Sequence, residues 1–219
     1  MSVDVPDHAP VCVFDLDDTL VRSPLDLRAM ARDMQTQAAK LGLPAPSLER
    51  RTSVVEWLNI ARASDPAYEA TLLAIAREHE HGAMHHATAE PGAREAVAGV
   101  RAAGYHTAVW TNNTRLVADH VLGRLKFIQH VDMVVTRDES ILLKPDPAGL
   151  RLIQQRWPAA SSHVVVGDAW IEGIAAAVLG VPFVAYRANR EVMRDRGVQP
   201  AAWLEAFEDL PATLAAVRR

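Results

Sequence analysis

A single cysteine in 219 residues, Cys12, leaves no partner for an internal disulfide, so the chain relies on its core rather than on cross-links. Cys12 falls within an apolar run, which marks it for buried packing rather than for thiol chemistry. A basic excess is also missing. The formal net charge of −4 argues against a nucleic-acid binder, which would present a basic face. It does not argue against phosphate substrates, because a bound metal and a few placed cations reverse the local field. No run of about 18 apolar residues occurs, and the start MSVDVPDHAP has neither the cationic segment nor the apolar stretch of a signal peptide. A soluble cytoplasmic protein with no membrane partner is therefore expected. Internal repeats and low-complexity tracts are lacking too. What is present is an ordinary folded composition, 49% apolar and 23% charged. The length suits one domain with a sizeable core, or a core carrying a smaller insertion.

Short apolar runs recur at Val11 to Asp15, His106 to Trp110, Asp132 to Val135, His163 to Gly167 and Pro182 to Tyr186. Continuous apolar character over four to six residues suits strands buried on both faces, as in a parallel sheet. Between them lie helical patterns: Gly92 to Ala103, Thr114 to Lys126 with Thr114 as N-cap, Pro147 to Trp157, and Ile171 to Leu179. In the second of these, Leu116, Val117, Val121, Leu122 and Leu125 read as one stripe. Alternation of this kind predicts a doubly wound, Rossmann-like α/β sheet. From about Pro24 to Ala89 no strand is evident, and three helical patterns follow one another instead. They run near Leu25 to Leu41, near Ser47 to Ala63 with Ser47 as N-cap and Arg50 where a capping box wants an acid, and from Asp65-Pro66 toward His86. The expected organisation is an α/β core of residues 1–23 and 90–219 with an inserted all-helical cap over 24–89.

Ligands of an open parallel sheet bind beyond the carboxyl ends of its strands. The first strand ends in Asp15-Leu16-Asp17-Asp18-Thr19, the second in Thr111-Asn112-Asn113-Thr114, and the fourth in Gly167-Asp168, with Glu172 four residues on; Lys144-Pro145 follows the third. Together these groups make a phosphoryl-transfer site. Transfer to an aspartate needs an ionised carboxylate, and neighbouring carboxylates need a cation between them. Magnesium suits an all-oxygen site and keeps several waters beside one or two carboxylates, here Asp15 and Asp168. Asp17 is spaced to reach a leaving-group oxygen on the side of Asp15. Lys144 offsets phosphate charge, while Thr111 and Asn112 bind its oxygens.

With Phe14-Asp15-Leu16-Asp17-Asp18-Thr19-Leu20, Thr111, Lys144-Pro145 and Gly167-Asp168 in order, the sequence resembles the haloacid dehalogenase superfamily over nearly its whole length. Glu90-Pro91-Gly92-Ala93 through Gly104-Tyr105 resembles the lead-in to the second motif. An insertion between motifs one and two is similar to the C1-capped, phosphoglycolate phosphatase-like branch. The resemblance implies that Asp15 is the nucleophile and Asp17 the general acid and later base, with its backbone carbonyl on magnesium. It implies that Thr111 and Lys144 hold the phosphoryl group, that Asp168 ligates the metal, and that Glu172 acts in or behind that shell. An aspartate at position 17 belongs to the phosphatases and phosphomutases of the family rather than to its dehalogenases. Arg22 stands where many relatives carry an acid or a small polar residue, and is expected to bind a second negative charge on substrate.

Blander readings compete at several positions. An acidic cluster also forms turns, Thr111 also caps a helix, and Glu172 also complements a helix dipole. His79, His81, His85 and His86 include an i, i+4 pair, yet an exposed polar helix end is the better account. Trp110 and Trp170 are expected in packing roles, and Arg187, Asn189 and Arg190 at the surface. The function expected is magnesium-dependent hydrolysis of a small phosphorylated metabolite through an aspartyl-phosphate on Asp15. A sugar phosphomutase using the same chemistry, or a non-catalytic binding or regulatory protein on the same fold, is the alternative. The substrate stays open among phosphoglycolate, sugar phosphates and nucleoside monophosphates, as does the oligomeric state.

Overall fold

The five apolar runs become parallel strands in the computed structural model, which describes residues 5–44, 53–140 and 142–217. In chain order the strands are β1 (Val11–Phe14), β2 (Val21–Arg22), β3 (Thr88–Ala89), β4 (His106–Trp110), β5 (Met133–Val135), β6 (His163–Gly167), β7 (Phe183–Tyr186) and β8 (Ala202–Leu204). The helices are α1 (Leu27–Leu41), α2 (Val54–Ser64), α3 (Pro66–Met84), α4 (Ala93–Ala102), α5 (Arg115–Arg124), α6 (Ala148–Arg156), α7 (Trp170–Val178), α8 (Arg190–Asp195) and α9 (Leu210–Val217). The chain divides into two units, residues 1–22 with 87–219, and residues 23–86.

The first unit holds a six-stranded parallel sheet in the order β5-β4-β1-β6-β7-β8. The class expected from the alternating pattern, a doubly wound Rossmann-like α/β fold, is the class found. The chain runs outward from β1 through β4 to β5, then crosses back to β6 on the other side of β1, so the strand order reverses at β1, and ligands of such sheets bind beyond the carboxyl ends at that point. Val11, Val13, Val165 and Ala185 of the sheet share one buried cluster with Leu150, Ile153, Ala175 and Ala176 from α6 and α7. Each such side chain stabilises by about 1.5–3 kcal/mol when it is a valine or leucine, so the strands that carry the site are held from behind.

Three departures from the sequence reading have simple causes. β8 is a three-residue edge strand, Ala-Trp-Leu, too short to stand out as a strand from its sequence. Val21–Arg22 and Thr88–Ala89 form a two-residue antiparallel ribbon, too short for any periodicity and partly inside the stretch read as strand-free. Leu116, assigned to the apolar stripe of α5, is 73% exposed, while Val117, Val121 and Leu122 are buried. Thr114 does cap that helix, accepting from the Val117 N–H at 3.4 Å.

The second unit is three helices packed on one another. Asp26 caps α1 by accepting from the Arg28 and Ala29 N–H groups, and Gly42 ends it at φ 62°, where a side chain would be strained. Ser53 and Glu56 form a reciprocal capping box at the start of α2. Ser47 and Arg50, the positions read as cap and box, lie outside the described residues. Asp65 caps α3 with Pro66 in its first turn, as expected. His79 pairs with Asp33 at 2.8 Å, and His81 meets His85 edge-on at 4.7 Å. Among the described residues no group of three His, Cys, Asp or Glu is placed to hold a metal ion, and no helix is long and apolar enough to cross a membrane.

Glu90, directly after the ribbon, is the polar anchor of the first unit. It is buried and accepts from Arg22 through both Nε and Nη2, from Tyr186 Oη at 2.7 Å and from Arg187 Nη1 at 2.6 Å. Burial pushes its carboxyl up, but the Arg22 and Tyr186 hydrogen bonds and the Arg187 charge outweigh that and hold it below the ordinary glutamate range. A depressed carboxyl stabilises the fold above the unfolded pKa, and the contribution vanishes as pH falls through the folded value. Glu90→Gln is therefore expected to cost about 2 kcal/mol at neutral pH in urea denaturation. The loss should shrink as the pH falls below about 4. A loss that is constant with pH would show that the carboxylate charge is not what stabilises this anchor.

Candidate active site

Asp15 is set at the central strand edge by the ladder itself. Its N–H donates to Val166 O at 2.9 Å, continuing the pairing of β1 with β6. The register that joins Phe14 to Val109 and Val166 puts Asp15 level with Trp110 and Gly167. The following loop turns tightly, with the Leu20 and Val21 N–H groups both donating to Leu16 O at 2.9 Å. Asp18 adopts φ 55° within it, a conformation aspartate tolerates better than bulkier residues. Thr19 is fully buried and its hydroxyl reaches Asp168 Oδ1 at 3.5 Å, tying the loop to the end of β6.

Lys144 joins this edge from the loop after β5. Its Nζ donates to Asp15 Oδ1 at 2.5 Å, Glu172 Oε1 at 2.6 Å and Trp110 O at 3.0 Å, and the side chain is fully buried. Three donors meet three acceptors. Burial works against the ammonium, but Asp15 and Glu172 outweigh it and hold Lys144 charged, above the ordinary lysine range. The ring of Trp110 lies 5.2 Å from Nζ. Gly149 leaves room for that ring, since a Cβ there would stand 2.2 Å from Trp110 Nε1.

The loop after β4 contributes three side chains with different tasks. Thr111 is buried, and its hydroxyl oxygen accepts from the Asn113 N–H at 3.1 Å, keeping the O–H for donation. Asn112 was expected on phosphate; instead Oδ1 accepts from the Lys144 N–H at 2.9 Å and Nδ2 lies 3.4 Å from Lys144 O. Its side chain serves the lysine backbone. Asn113, for which the sequence reading had no task, donates from Nδ2 to Asp17 Oδ2 at 2.6 Å. Its signal was available in principle, as a second amide next to a motif threonine.

Two further site residues have protein partners in this structure. Arg22, expected to bind a second negative charge on substrate, has its guanidinium on Glu90, the residue that follows β3. Glu172, expected in or behind the metal shell, is buried with Oε1 on Lys144 and Oε2 accepting from the Ala169 N–H at 3.2 Å. Gly167 permits this close approach, a Cβ there standing 2.9 Å from Glu172 Cγ. Burial pushes the Glu172 carboxyl up to about 7 against the pull of Lys144. Trp170 turns one ring face to Arg196, whose guanidinium carbon is 4.2 Å from the ring centre.

The donor set fits magnesium. Asp168 is pushed well above the ordinary aspartate range by burial and then by the charges of Asp15, Glu172 and Asp18, with only partial relief from Lys144. Such an excess of buried carboxylate is what a divalent cation offsets. Magnesium keeps several waters beside one or two carboxylates, which Asp15 and Asp168 would supply.

Comparison with known proteins agrees with this geometry. Residues 12–186 match the family model described as haloacid dehalogenase-like hydrolase. A phosphoglycolate phosphatase of Cupriavidus necator is 30% identical over 212 residues, covering 94% of this chain and 89% of that protein. One from Mesorhizobium japonicum is 26% identical, covering 94% and 95%. The crystal structure of a hydrolase from Pseudomonas syringae shares the fold with a TM-score of 0.70 at 20% identity, covering 94% of this chain and 97% of that one. The chain belongs to the haloacid dehalogenase-like hydrolase family.

Glu172→Gln separates the two tasks open to that carboxylate. If Glu172 serves Lys144, the variant should lose about tenfold in kcat while half-saturating magnesium changes less than about threefold. A magnesium requirement raised about tenfold or more, the usual size of a ligand effect, would put Glu172 on the metal.

Proposed function

We propose that the chain is a magnesium-dependent phosphatase that passes the phosphoryl group of a small phosphorylated metabolite through an aspartyl-phosphate on Asp15. It is a phosphoric monoester hydrolase. The observation that carries the finer reading is the Asp15 carboxylate at the central strand edge, bound to a fully buried, charged lysine. That lysine fixes the direction of the Asp15 carboxylate and sets a positive charge beside it, and an aimed carboxylate is what nucleophilic attack on phosphorus requires.

In this reading Asp15 forms the bond to phosphorus as the ester P–O bond breaks, and the electron pair leaves with the alcohol oxygen. Asp17 gives that oxygen a proton, then takes one from the water that cleaves the aspartyl-phosphate. Thr111 donates its hydroxyl to a phosphoryl oxygen. Lys144 holds positive charge beside the reacting centre without moving, which a preorganised site needs. Magnesium, held by the Asp15 and Asp168 carboxylates and the Asp17 backbone carbonyl, would supply neutralisation of charge between carboxylate and phosphate. The three-helix unit, residues 23–86, is proposed as the cap that selects the leaving group. Phosphoglycolate, the substrate in the names of the curated relatives, is the first to try, and the cytoplasm the proposed compartment.

Phosphate release from phosphoglycolate and a panel of phosphomonoesters should require magnesium and stop on chelation. Asp15→Asn should lower kcat by at least about 10³-fold, and Asp17→Asn by about 10²- to 10⁴-fold. Turnover persisting in Asp15→Asn would remove Asp15 as the nucleophile.

A further inference from the structure

Asp17 has two carboxyl oxygens, and the acid role requires the transferable proton to be on the one that meets the leaving group. We infer that Asn113 is the positioning residue that makes this choice. The inference rests on the reading of Asp17 as general acid.

Three observations support it. The Asn113 side chain is buried, at 3% exposure, and its Nδ2 donates to Asp17 Oδ2 at 2.6 Å. An amide N–H donates and cannot accept, so Oδ2 serves as acceptor and the acid proton belongs on Oδ1. The Asn113 backbone is fixed independently of that side chain: its N–H donates to Thr111 Oγ1 at 3.1 Å and its carbonyl accepts from the Arg137 N–H at 3.1 Å. A side chain on so firmly held a backbone is a rigid support for its partner.

The same loop therefore orients both halves of the reaction. Thr111 is the residue proposed to meet the phosphoryl group, Asn112 holds the backbone of Lys144, and Asn113 holds the proposed acid. In the step concerned, Asp15 bonds to phosphorus, the P–O ester bond breaks toward the alkoxide oxygen, and the Oδ1 proton of Asp17 passes to that oxygen. Asp17 is left as a carboxylate, and the phosphoryl group on Asp15. Without Asn113 the hold on Oδ2 is lost, and the proton is less firmly directed to the departing oxygen. The cost falls on substrates whose leaving group needs that proton, and spares those whose leaving group departs as a stable anion.

The test is a leaving-group series. Values of kcat/KM, which report the first transfer alone, are measured for wild type, Asn113→Ala and Asn113→Ser with alkyl phosphates and with p-nitrophenyl phosphate. Both variants should lose about 10- to 100-fold on alkyl phosphates and less than about threefold on the nitrophenyl ester. Serine, which can still donate a hydrogen bond, should lose less than alanine on the alkyl esters. Retained nitrophenyl turnover also certifies that the site is assembled. An equal loss across the series in either folded variant would reduce Asn113 to a structural residue and overturn the inference. Asp17→Asn is run in parallel. Selective loss on alkyl esters there, with uniform loss in the Asn113 variants, overturns the Asn113 inference alone; uniform loss in Asp17→Asn overturns the acid assignment on which it rests.

Discussion

Lys144 carries its ammonium into a space where Asp15 and Glu172 have been stripped of water, and the three groups tolerate burial only together. Asp15 and Glu172 each accept a charge-assisted hydrogen bond from Nζ, and Trp110 O takes the remaining proton. Removing any one charge would leave the others buried and uncompensated, the costly state for an ion pair. The surrounding architecture serves this cluster. The sheet register sets Asp15 level with Trp110, Asn112 grips the Lys144 backbone, and Gly167 lets Glu172 approach.

The net charge of the cluster explains why a lysine is not enough. Asp15, Asp168 and Glu172 face one another with Asp18 nearby, and Asp168 is pushed upward in consequence. A site built this way favours whatever brings positive charge to it, and resists a phosphate dianion until that charge arrives.

Much of this was legible in the chain. The continuous apolar runs ending at Asp15, Trp110, Val135 and Gly167 were enough to place a parallel sheet, because strands buried on both faces have no polar alternation to obscure them. Strand-end chemistry then pointed to Asp15, Thr111, Lys144 and Asp168, since a doubly wound sheet gathers its strand ends at one edge. What the sequence could not convey was the division of labour among neighbours. Asn112 and Asn113 are adjacent and chemically identical, yet one serves a backbone and the other a carboxylate, because successive residues of a loop point in different directions. Arg22 looked available for substrate because its partner, Glu90, lies 68 positions away. Whether Glu172 would serve a metal or a neighbour was not legible either, because a first-turn acid and a metal acid are the same residue type. Edge strand β8 and the β2–β3 ribbon escaped for a different reason: two or three residues carry no period.

The central claim is that a covalent bond forms between phosphorus and Asp15, and trapping that bond tests it most directly. Enzyme quenched in acid during turnover, reduced with borohydride and digested should show the acyl-phosphate converted to an alcohol at a single site, in the peptide that contains Asp15. Turnover with no modification at Asp15, or with the modification on another residue, would contradict the account.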